Sequence, residues 1–311
     1  QKDVFLWKWE SATADTIRLV SAANNGTSIQ DGDSYSPVIS ENGQYVSFLS
    51  YATNLTSFSA DNRGNNQADV FQWDGSASSN AVTLVSRNRD STGSGNKGVS
   101  DNFSMSRDGN YVAFSSNAID LTPTSDPNGS TEDVFRWSRV GNTMTTISTS
   151  FSLGVGADDV STNPVISNDG SRIAFVSTAS NLVADGVDNN GTQDIFLWDS
   201  AGTTANKTRL ISFNSAGINS GNRSFDPFAA SGSLNPVISG DGKYVAFVSY
   251  STDLVTATDG NNKQDVFVRE VDASTTSLVS GNTAGAFGND VSSDPSISRD
   301  GKQRFSSQRS L

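Results

Sequence analysis

The chain has 311 residues, a formal net charge of −12, and neither cysteine nor histidine. The missing histidine excludes Ser-His-Asp and Cys-His triads and His-ligated zinc or iron, and the missing cysteine excludes disulfides. The acidic balance argues against a nucleic-acid partner, because phosphate contacts need clustered lysine and arginine. Only 34% of the residues are hydrophobic and 27 are glycine, which favours short strands and tight turns over long helices.

One unit repeats along the whole chain. Its clearest landmark is an Asp-Val-Phe type of strand that recurs every 61 to 71 residues, with its Phe at positions 5, 71, 135, 196 and 267. About 30 residues before each complete landmark lies a second one, of the form Pro-x-Ile-Ser-x-Asp-Gly-x-Tyr-Val-Ala-Phe, as in residues 236–247. A third landmark, such as residues 276–280, follows each Asp-Val-Phe strand. Self-similarity at such a period indicates a repeat architecture.

Each complete repeat holds four short apolar stretches. In the last complete repeat we predict strands at residues 237–239, 244–249, 265–269 and 276–280. The first two are joined by Gly240-Asp241-Gly242, a strong hairpin signal. Four antiparallel strands recurring in this way predict the blades of a β-propeller. A β-sandwich of generic strands is the alternative, and it does not predict five ordered sets of landmarks.

The landmarks predict an all-β, five-bladed propeller formed as a single domain over residues 1–311. Full blades are expected at about 35–86, 100–148, 160–212 and 233–280. The fifth blade is composite, from residues 1–21 and 290–311, and would close the ring. The second strand of that blade departs from the pattern, because Lys243-Tyr244-Val245-Ala246-Phe247 becomes Lys302-Gln303-Arg304-Phe305, one residue shorter.

These units resemble the TolB-like, WD40-like (PD40) propeller repeat of bacterial envelope and secreted proteins. The motifs that carry the resemblance are the Pro-x-Ile-Ser-x-Asp-Gly-x-Tyr-Val-Ala-Phe unit and the Asp-x-Asn-x-x-x-Asp-Val-Phe unit, and they cover nearly the whole chain. The closer resemblance is to the variant with a calcium-type Asp-x-Asn loop in each blade. It implies a propeller and a binding or scaffolding role; TolB itself has six blades, whereas this chain encodes five.

Two loops between the second and third strands have the spacing of a calcium site. Ca²⁺ prefers six to eight oxygen ligands from carboxylates, amides, carbonyls and water. The first loop offers Asp188, Asn190 and Asp194 with a carbonyl near Thr192. The second offers, at the same spacing, Asp259, Asn261 and Asp265 with a carbonyl near Lys263. Neither loop has the bidentate Glu of an EF-hand, so water or a neighbouring loop must complete the ligand set.

Two further loops are irregular versions of the same site. One carries an extra residue and offers Asp126, Asn128 and Asp133. The other carries two extra residues and offers Asp61, Asn65 and Asp69, while Asp3 stands alone at the start of the chain. We therefore expect two to four structural Ca²⁺ ions. The alternative is that these residues only form Asx-turns and cap backbone N–H groups.

The loops that precede each blade are also polar. They include Asp31-Gly32-Asp33, Asp101-Asn102, Asp158-Asp159 and Asn289-Asp290. In a propeller they share a face with the Asp/Asn loops, so one face should be acidic. It could bind further cations or a basic partner, or be merely solvated.

A carboxylate-dependent glycosidase and a glycan-binding lectin are the alternatives to a binding or scaffolding module. A carboxylate-dependent glycosidase needs two acids at a fixed separation, but the unrepeated candidates Asp158, Asp159, Asp226 and Glu270 form no recognisable pair. A glycan-binding lectin could use Trp7, Trp73, Trp137 and Trp198, which share one repeat position that Arg269 fills in the last complete repeat. Core packing is the preferred interpretation of these tryptophans, because both faces of a blade pack on neighbours.

We therefore predict a non-catalytic binding or scaffolding module of a secreted, periplasmic or cell-surface bacterial protein, stabilised by Ca²⁺. Its partner would be a protein or a glycan, and it could belong to a larger surface assembly. No apolar run in the sequence approaches the length of a membrane span.

Overall fold

A computed structural model describes residues 1–9, 15–24, 30–57, 67–77, 81–124, 126–152, 154–203, 207–222, 232–282 and 285–308. These residues form β-strands and turns, and none of them forms a helix long and apolar enough to cross a membrane. The fold is all-β, as the composition predicts.

Four antiparallel sheets of four strands each follow one another along the chain. The first sheet contains β3 (Ser34–Ile39), β4 (Tyr45–Ser50), β5 (Asp69–Asp74) and β6 (Ala81–Leu84). The second contains β7 (Val99–Met105), β8 (Tyr111–Ser116), β9 (Asp133–Ser138) and β10 (Thr143–Thr146). The third contains β11 (Ser161–Ile166), β12 (Arg172–Ser177), β13 (Asp194–Asp199) and β14 (Thr208–Leu210). The fourth contains β15 (Ser233–Ile238), β16 (Tyr244–Ser249), β17 (Asp265–Glu270) and β18 (Thr275–Leu278).

In every sheet the strands lie in sequence order, so each strand pairs with the next one along the chain. The four predicted strands of a repeat are thus confirmed, and the four-stranded sheets with them. Two shorter sheets lie at the ends of the chain. One pairs β1 (Phe5–Trp9) with β2 (Asp15–Leu19), and the other pairs β19 (Ser292–Ile297) with β20 (Arg304–Gln308). Each end pair is a separate sheet among the described residues, so the composite blade and the count of five stay predictions.

The chain divides into two compact units. One comprises Gln1–Pro123 and Phe135–Thr145, and the other Thr124–Val134 and Thr146–Leu311. The division runs through β9 and β10, so it does not coincide with a boundary between repeats.

The hairpin between the first and second strands is built alike in all repeats. In the last complete repeat, Ser239 Oγ accepts a hydrogen bond from the Tyr244 N–H at 3.0 Å and donates one to Asp241 at 2.6 Å. Gly242 follows with φ of 70°, a conformation that glycine adopts without a steric penalty. The Asp-Gly pair is therefore a turn former.

Hydrophobic packing concentrates on the second and third strands. All residues of β4 and β13 are buried, as expected for strands covered on both faces. In every complete sheet a phenylalanine of the second strand packs on a phenylalanine of the third strand, with ring centroids 5.9 to 6.0 Å apart. The pairs are Phe48–Phe71, Phe114–Phe135, Phe175–Phe196 and Phe247–Phe267. These rings lie at the centre of each sheet and account for the recurring Phe landmarks.

The irregular second strand near the end of the chain keeps the backbone register of the others, but its phenylalanine occupies a different position. β20 is paired in full with β19, and Phe305 lies opposite Ser296. The matching pair in the first sheet is Ser47 with Val38, so Phe305 takes a position that holds a small residue elsewhere. A shift of one residue moves a side chain to the other face of a strand, and Phe305 is accordingly 63% exposed. The missing residue thus displaces the Phe and does not shorten the strand.

Candidate metal centres in the inter-strand loops

A buried aspartate opens the third strand of every complete sheet. These residues are Asp69, Asp133, Asp194 and Asp265, and they are between 1% and 6% exposed. One carboxylate oxygen of each accepts a hydrogen bond from a serine hydroxyl that follows the fourth strand. The serines are Ser86 at 2.7 Å, Ser148 at 2.6 Å, Ser212, and Ser280 at 2.7 Å.

The same serine also orders the backbone of the third strand. Its Oγ accepts a hydrogen bond from the N–H of the residue after the aspartate, at 3.0 to 3.1 Å. The pattern includes the first end pair, where the Val4 N–H donates to Ser21 Oγ at 3.0 Å. In the sequence this serine is the last residue of the third landmark. Its presence at one position of each repeat, beside a buried aspartate, is the signal that could have assigned it.

The middle asparagine of each described Asp/Asn loop connects its repeat to the next one. Asn128 donates from Nδ2 to the Asp159 carbonyl at 3.2 Å, and Asn190 donates to the Gly221 carbonyl at 2.8 Å. Asn261 donates to the Gly288 carbonyl at 2.6 Å. Each acceptor lies in the segment that leads into the following sheet. The two kinds of polar loop therefore lie side by side within this unit, as predicted for one face of a propeller.

The loop with Asp188 brings two carboxylates together. Burial raises the pKa of Asp188 to about 6, and it raises the pKa of Asp194 well above its usual value, with the charge of Asp188 as a further cause. Asn190 Oδ1 accepts a hydrogen bond from the Thr192 N–H at 2.8 Å, which is an Asx-turn. Asp194 Oδ2 and Thr192 Oγ1 are buried without a hydrogen-bond partner.

The loop with Asp259 is arranged similarly. Asp259 Oδ1 accepts hydrogen bonds from the N–H groups of Asn261 and Asn262 at 2.9 and 3.0 Å, and Asn261 Oδ1 accepts one from the Lys263 N–H at 2.5 Å. Burial, helped by the charge of Asp259, raises the pKa of Asp265 to about 6. Asp265 Oδ2 is buried without a hydrogen-bond partner.

The loop with Asp126, predicted to be irregular, has the same features. Burial, helped by the charge of Asp126, raises the pKa of Asp133 to about 7. Burial also raises the pKa of Asp126. Oδ1 of Asp126 and Oδ1 of Asn128 are both buried without a hydrogen-bond partner. The extra residue in this loop does not separate its acidic groups.

The remaining predicted ligands are only partly described. Asp61 and Asn65 lie outside the described residues, whereas Asp69 is bound by Ser86 as above. Asp3 Oδ1 is another buried oxygen without a hydrogen-bond partner.

The donor set fits a hard cation at three loops. Asp126, Asp194 and Asp265 each present a buried carboxylate oxygen that no described donor satisfies. Such an oxygen costs free energy unless a proton or a cation compensates it. Among the described residues, no three or more Asp, Glu, His or Cys side chains lie close enough together to hold one metal ion by themselves. Each loop has two carboxylates with neutral oxygens, which is a ligand type that Ca²⁺ accepts together with water.

Asp158 proves to be part of a repeated contact. Its carboxylate accepts hydrogen bonds from the N–H and the hydroxyl of Ser180, at 2.9 and 2.7 Å. Asp31 binds the N–H and hydroxyl of Thr53 in the same way, and Asn222 binds both groups of Thr252. The interpretation of Asp158 as unrepeated is therefore wrong, because Asn replaces Asp at the matching position. Asp226 lies outside the described residues.

The tryptophans of the complete sheets are core residues. Trp73, Trp137 and Trp198 are 1 to 2% exposed, so their rings cannot stack on a sugar. Trp7, on the first end pair, is 59% exposed.

Comparisons with known proteins give matches among solved structures. No protein-family model matches the sequence, and the search of curated proteins finds no match. TolB from Acinetobacter baumannii matches with 13% identity and a TM-score of 0.44, over 93% of this chain and 50% of TolB. The β-propeller domain of the Trilobed protease from Pyrococcus furiosus matches with 10% identity and a TM-score of 0.41, over 80% of this chain and 57% of that one.

A third match, the oligogalacturonate lyase from Vibrio parahaemolyticus, has 11% identity and a TM-score of 0.46, over 93% of this chain and 65% of the lyase. The chain thus spans about half to two thirds of these proteins. Other matches are the tricorn protease and dipeptidyl peptidase 4 from Porphyromonas gingivalis. The prediction that the chain is not an enzyme is corrected by these matches, since many of them are enzymes. Likeness at such identities concerns the fold alone, and this fold does not exclude catalysis.

Proposed function

We propose that the chain is a β-propeller module that binds a protein or glycan partner and is stabilised by Ca²⁺ in its inter-strand loops. The observation that carries the proposal is the recurrence of buried carboxylate oxygens without partners at Asp126, Asp194 and Asp265. They fall in three successive repeats, at positions where the sequence predicts calcium ligands.

A bound cation explains these oxygens better than turn formation does. An Asx-turn uses the side-chain oxygens that face backbone N–H groups, as Asn190 and Asn261 do. It leaves the second carboxylate oxygen of Asp194 and of Asp265 unused. At neutral pH a proton is a poor compensation for the free oxygen of Asp265, because the raised pKa of that carboxyl is only about 6.

The calcium would be held by side chains from one loop together with water. In the loop with Asp188 the ligands are Asp188, Thr192 and Asp194, with Asn190 orienting the turn. In the other two loops they are Asp259 with Asp265, and Asp126 with Asn128 and Asp133. Bound Ca²⁺ would neutralise the paired carboxylates and fix the loop against the segment that leads into the next sheet.

The proposal includes five blades, the fifth formed by both end pairs, and a location outside the bacterial cytoplasm. Loops with few carboxylates suit the weak affinities of extracellular calcium modules, about 10⁻⁴ to 10⁻³ M. A secreted, periplasmic or cell-surface protein would meet such concentrations.

Thermal unfolding after chelator treatment, with Ca²⁺ then titrated in, tests the proposal. A ligand that binds only the native state stabilises it by about 2.7 kcal/mol per site at a 100-fold excess over Kd. We expect a clear rise in the unfolding midpoint that is reduced in Asp188→Ala and in Asp259→Ala.

Asp185→Ala is the matched control, because Asp185 is an exposed acid in the same segment as Asp188. The control should keep the full response to Ca²⁺. An unchanged midpoint of the unmodified protein at millimolar Ca²⁺ would reduce the loops to turn formers and reject the metal.

A further inference from the structure

Arg269 stands where the other complete repeats have a buried tryptophan. It lies on β17 between Val245 of β16 and Thr276 of β18, as Trp198 lies on β13 between Ile173 and Thr208. Arg269 is itself only 7% exposed. The fourth sheet therefore buries a permanent positive charge at a position that is apolar elsewhere.

This charge has little compensation from the protein. Arg269 donates one hydrogen bond, from Nη1 to Thr276 Oγ1 at 2.9 Å, and its guanidinium lies 5.3 Å from the ring centroid of Phe213. Within the described part of the chain, no carboxylate lies within 4 Å of it. Burial, and next the charge of Arg209, lower the pKa of Arg269. A buried guanidinium without a counter-ion is costly unless an anion can reach it.

Arg269 lines a cavity that has room for such an anion. The cavity has a volume of about 330 Å³, and its apolar wall includes Phe151, Val187, Phe213 and Val271. A smaller cavity of about 270 Å³ is also lined by Arg269. Ligand pockets commonly combine an apolar wall of this kind with a few polar groups.

A second arginine in the wall also has an open donor. Arg209 Nε is buried without a hydrogen-bond partner. Its other end is held by Asp199 at 3.5 Å and by Asp272 at 4.0 Å, and Arg172 binds the same two aspartates at 2.9 Å each. Arg172 and Arg209 thus share two aspartates, whereas Arg269 has no carboxylate partner among the described residues.

We propose that this cavity binds a monocarboxylate with an apolar body. The carboxylate would lie on Arg269 and on Arg209 Nε, and the apolar body would pack against the phenylalanine and valine side chains of the wall. Asp199 and Asp272 disfavour a phosphate dianion, because its second charge would meet theirs. A small organic acid and the C-terminal residue of a peptide share this chemistry.

The proposal is tested by measuring the binding of 3-phenylpropionate to the full chain in Ca²⁺ buffer, with ligand-observed NMR and calorimetry. The neutral 3-phenylpropanamide is the matched probe without the charge. A short peptide ending in a free phenylalanine carboxylate, and the same peptide as its amide, separate the two sources of ligand. We expect saturable binding of at least one free carboxylate and at least tenfold weaker binding of the corresponding amide.

Arg269→Trp restores the residue of the other repeats and fills the site, so it should fold. It should lose at least tenfold in affinity, and Arg269→Gln should do the same. Lys243→Gln removes an equal charge from an exposed side chain and should bind like the unmodified protein. None of the cavity residues named here is a proposed calcium ligand, so this test and the calcium test fail separately.

Equal affinity for the acid and its amide would overturn the proposal. The proposal would also be overturned if none of the free carboxylates bound at concentrations up to about 10 mM. One buried ion pair in an apolar pocket should give a Kd in the millimolar range. Unchanged affinity in both Arg269 variants would place any observed binding elsewhere.

Discussion

The buried aspartates at the start of each third strand link the stability of the metal-free protein to pH. The pKa values of Asp133, Asp194 and Asp265 are raised, to about 7 for Asp133 and about 6 for Asp265, because burial disfavours the charged carboxylate. A raised folded-state pKa stabilises the fold at low pH, and this contribution is lost as pH rises through the folded-state pKa. In chelator, the free energy of unfolding should therefore fall between pH 5 and pH 8.

The fall for Asp133 alone amounts to about 3 kcal/mol between these two pH values, because about two pKa units separate pH 5 from the folded-state pKa of about 7 and each corresponds to about 1.4 kcal/mol. Saturating Ca²⁺ should remove most of it, because the ion binds the deprotonated carboxylates. Urea unfolding at the two pH values, with and without Ca²⁺, measures both effects. Aspartates with lowered pKa values, such as Asp169 and Asp241, titrate below this window and do not obscure it. A pH-independent stability in chelator would contradict the linkage.

The serine beside each aspartate permits a second test at a single residue. Ser280 donates to Asp265 and accepts from the Val266 N–H, and it is 5% exposed. Ser280→Ala removes both hydrogen bonds and leaves a buried carboxylate and a buried N–H unsatisfied. The expected loss is about 2–4 kcal/mol in urea unfolding, from two groups at about 1–2 kcal/mol each. Ser200→Ala, at an exposed position, should change stability by less than about 0.5 kcal/mol.

The candidate site was readable from the sequence only where residue types repeat unchanged. Asp194 and Asp265 were found because both loops share one spacing. The sequence does not show that Asp158 is repeated, because its counterpart is an asparagine. Asn222 accepts the backbone N–H of Thr252 as Asp158 accepts that of Ser180. Burial and contacts between repeats decide which carboxylate oxygens lack a hydrogen-bond partner. Neither can be read from the sequence of a single repeat.

At the scale of elements, hydrophobic periodicity and turn chemistry identified the four strands of each complete repeat. The register of β20 was not readable, because its pairing is set by hydrogen bonds such as Ser298 N–H to the Gln303 carbonyl, at 2.8 Å, and not by the apolar pattern. The backbone of this turn repeats that of Ser40 and Tyr45. The hairpin therefore keeps its geometry and displaces Phe305.

Restoring the apolar pattern of β20 should stabilise the protein. The changes Gln303→Tyr, Arg304→Val, Phe305→Ala and Ser306→Phe give this strand the sequence of residues 244–247. They move the phenylalanine to the position that pairs with a third-strand phenylalanine in every complete sheet. Burial of one more ring and its aromatic pairing should add about 2–4 kcal/mol to the free energy of unfolding.

This gain requires a third strand with an aromatic partner beside β20, which the composite blade implies. The other three changes without Ser306→Phe form the control, and they should give less than half of the gain. Unchanged or reduced stability in the fourfold variant would count against the composite blade, because the new ring would then remain exposed.

At the scale of the whole molecule, the asparagine contacts make each of these Asp/Asn loops a connection between consecutive repeats. Asn128, Asn190 and Asn261 each bind a carbonyl in the segment that leads into the next sheet. An ion in a loop would therefore stabilise the contact between two sheets as well as the loop itself. We expect at least three Ca²⁺ ions per chain, counted by native mass spectrometry and calorimetry.

Single changes should then remove single ions. Asp133→Asn, Asp194→Asn and Asp265→Asn each keep the shape of the side chain and its contact with serine, but lower its charge. Each should reduce the count by one and lower the unfolding midpoint in Ca²⁺, while the midpoint in chelator stays equal or rises because a buried charge is gone. A variant that loses stability equally with and without Ca²⁺ would show that its aspartate supports the fold through the serine contact alone, and that loop would then hold no ion.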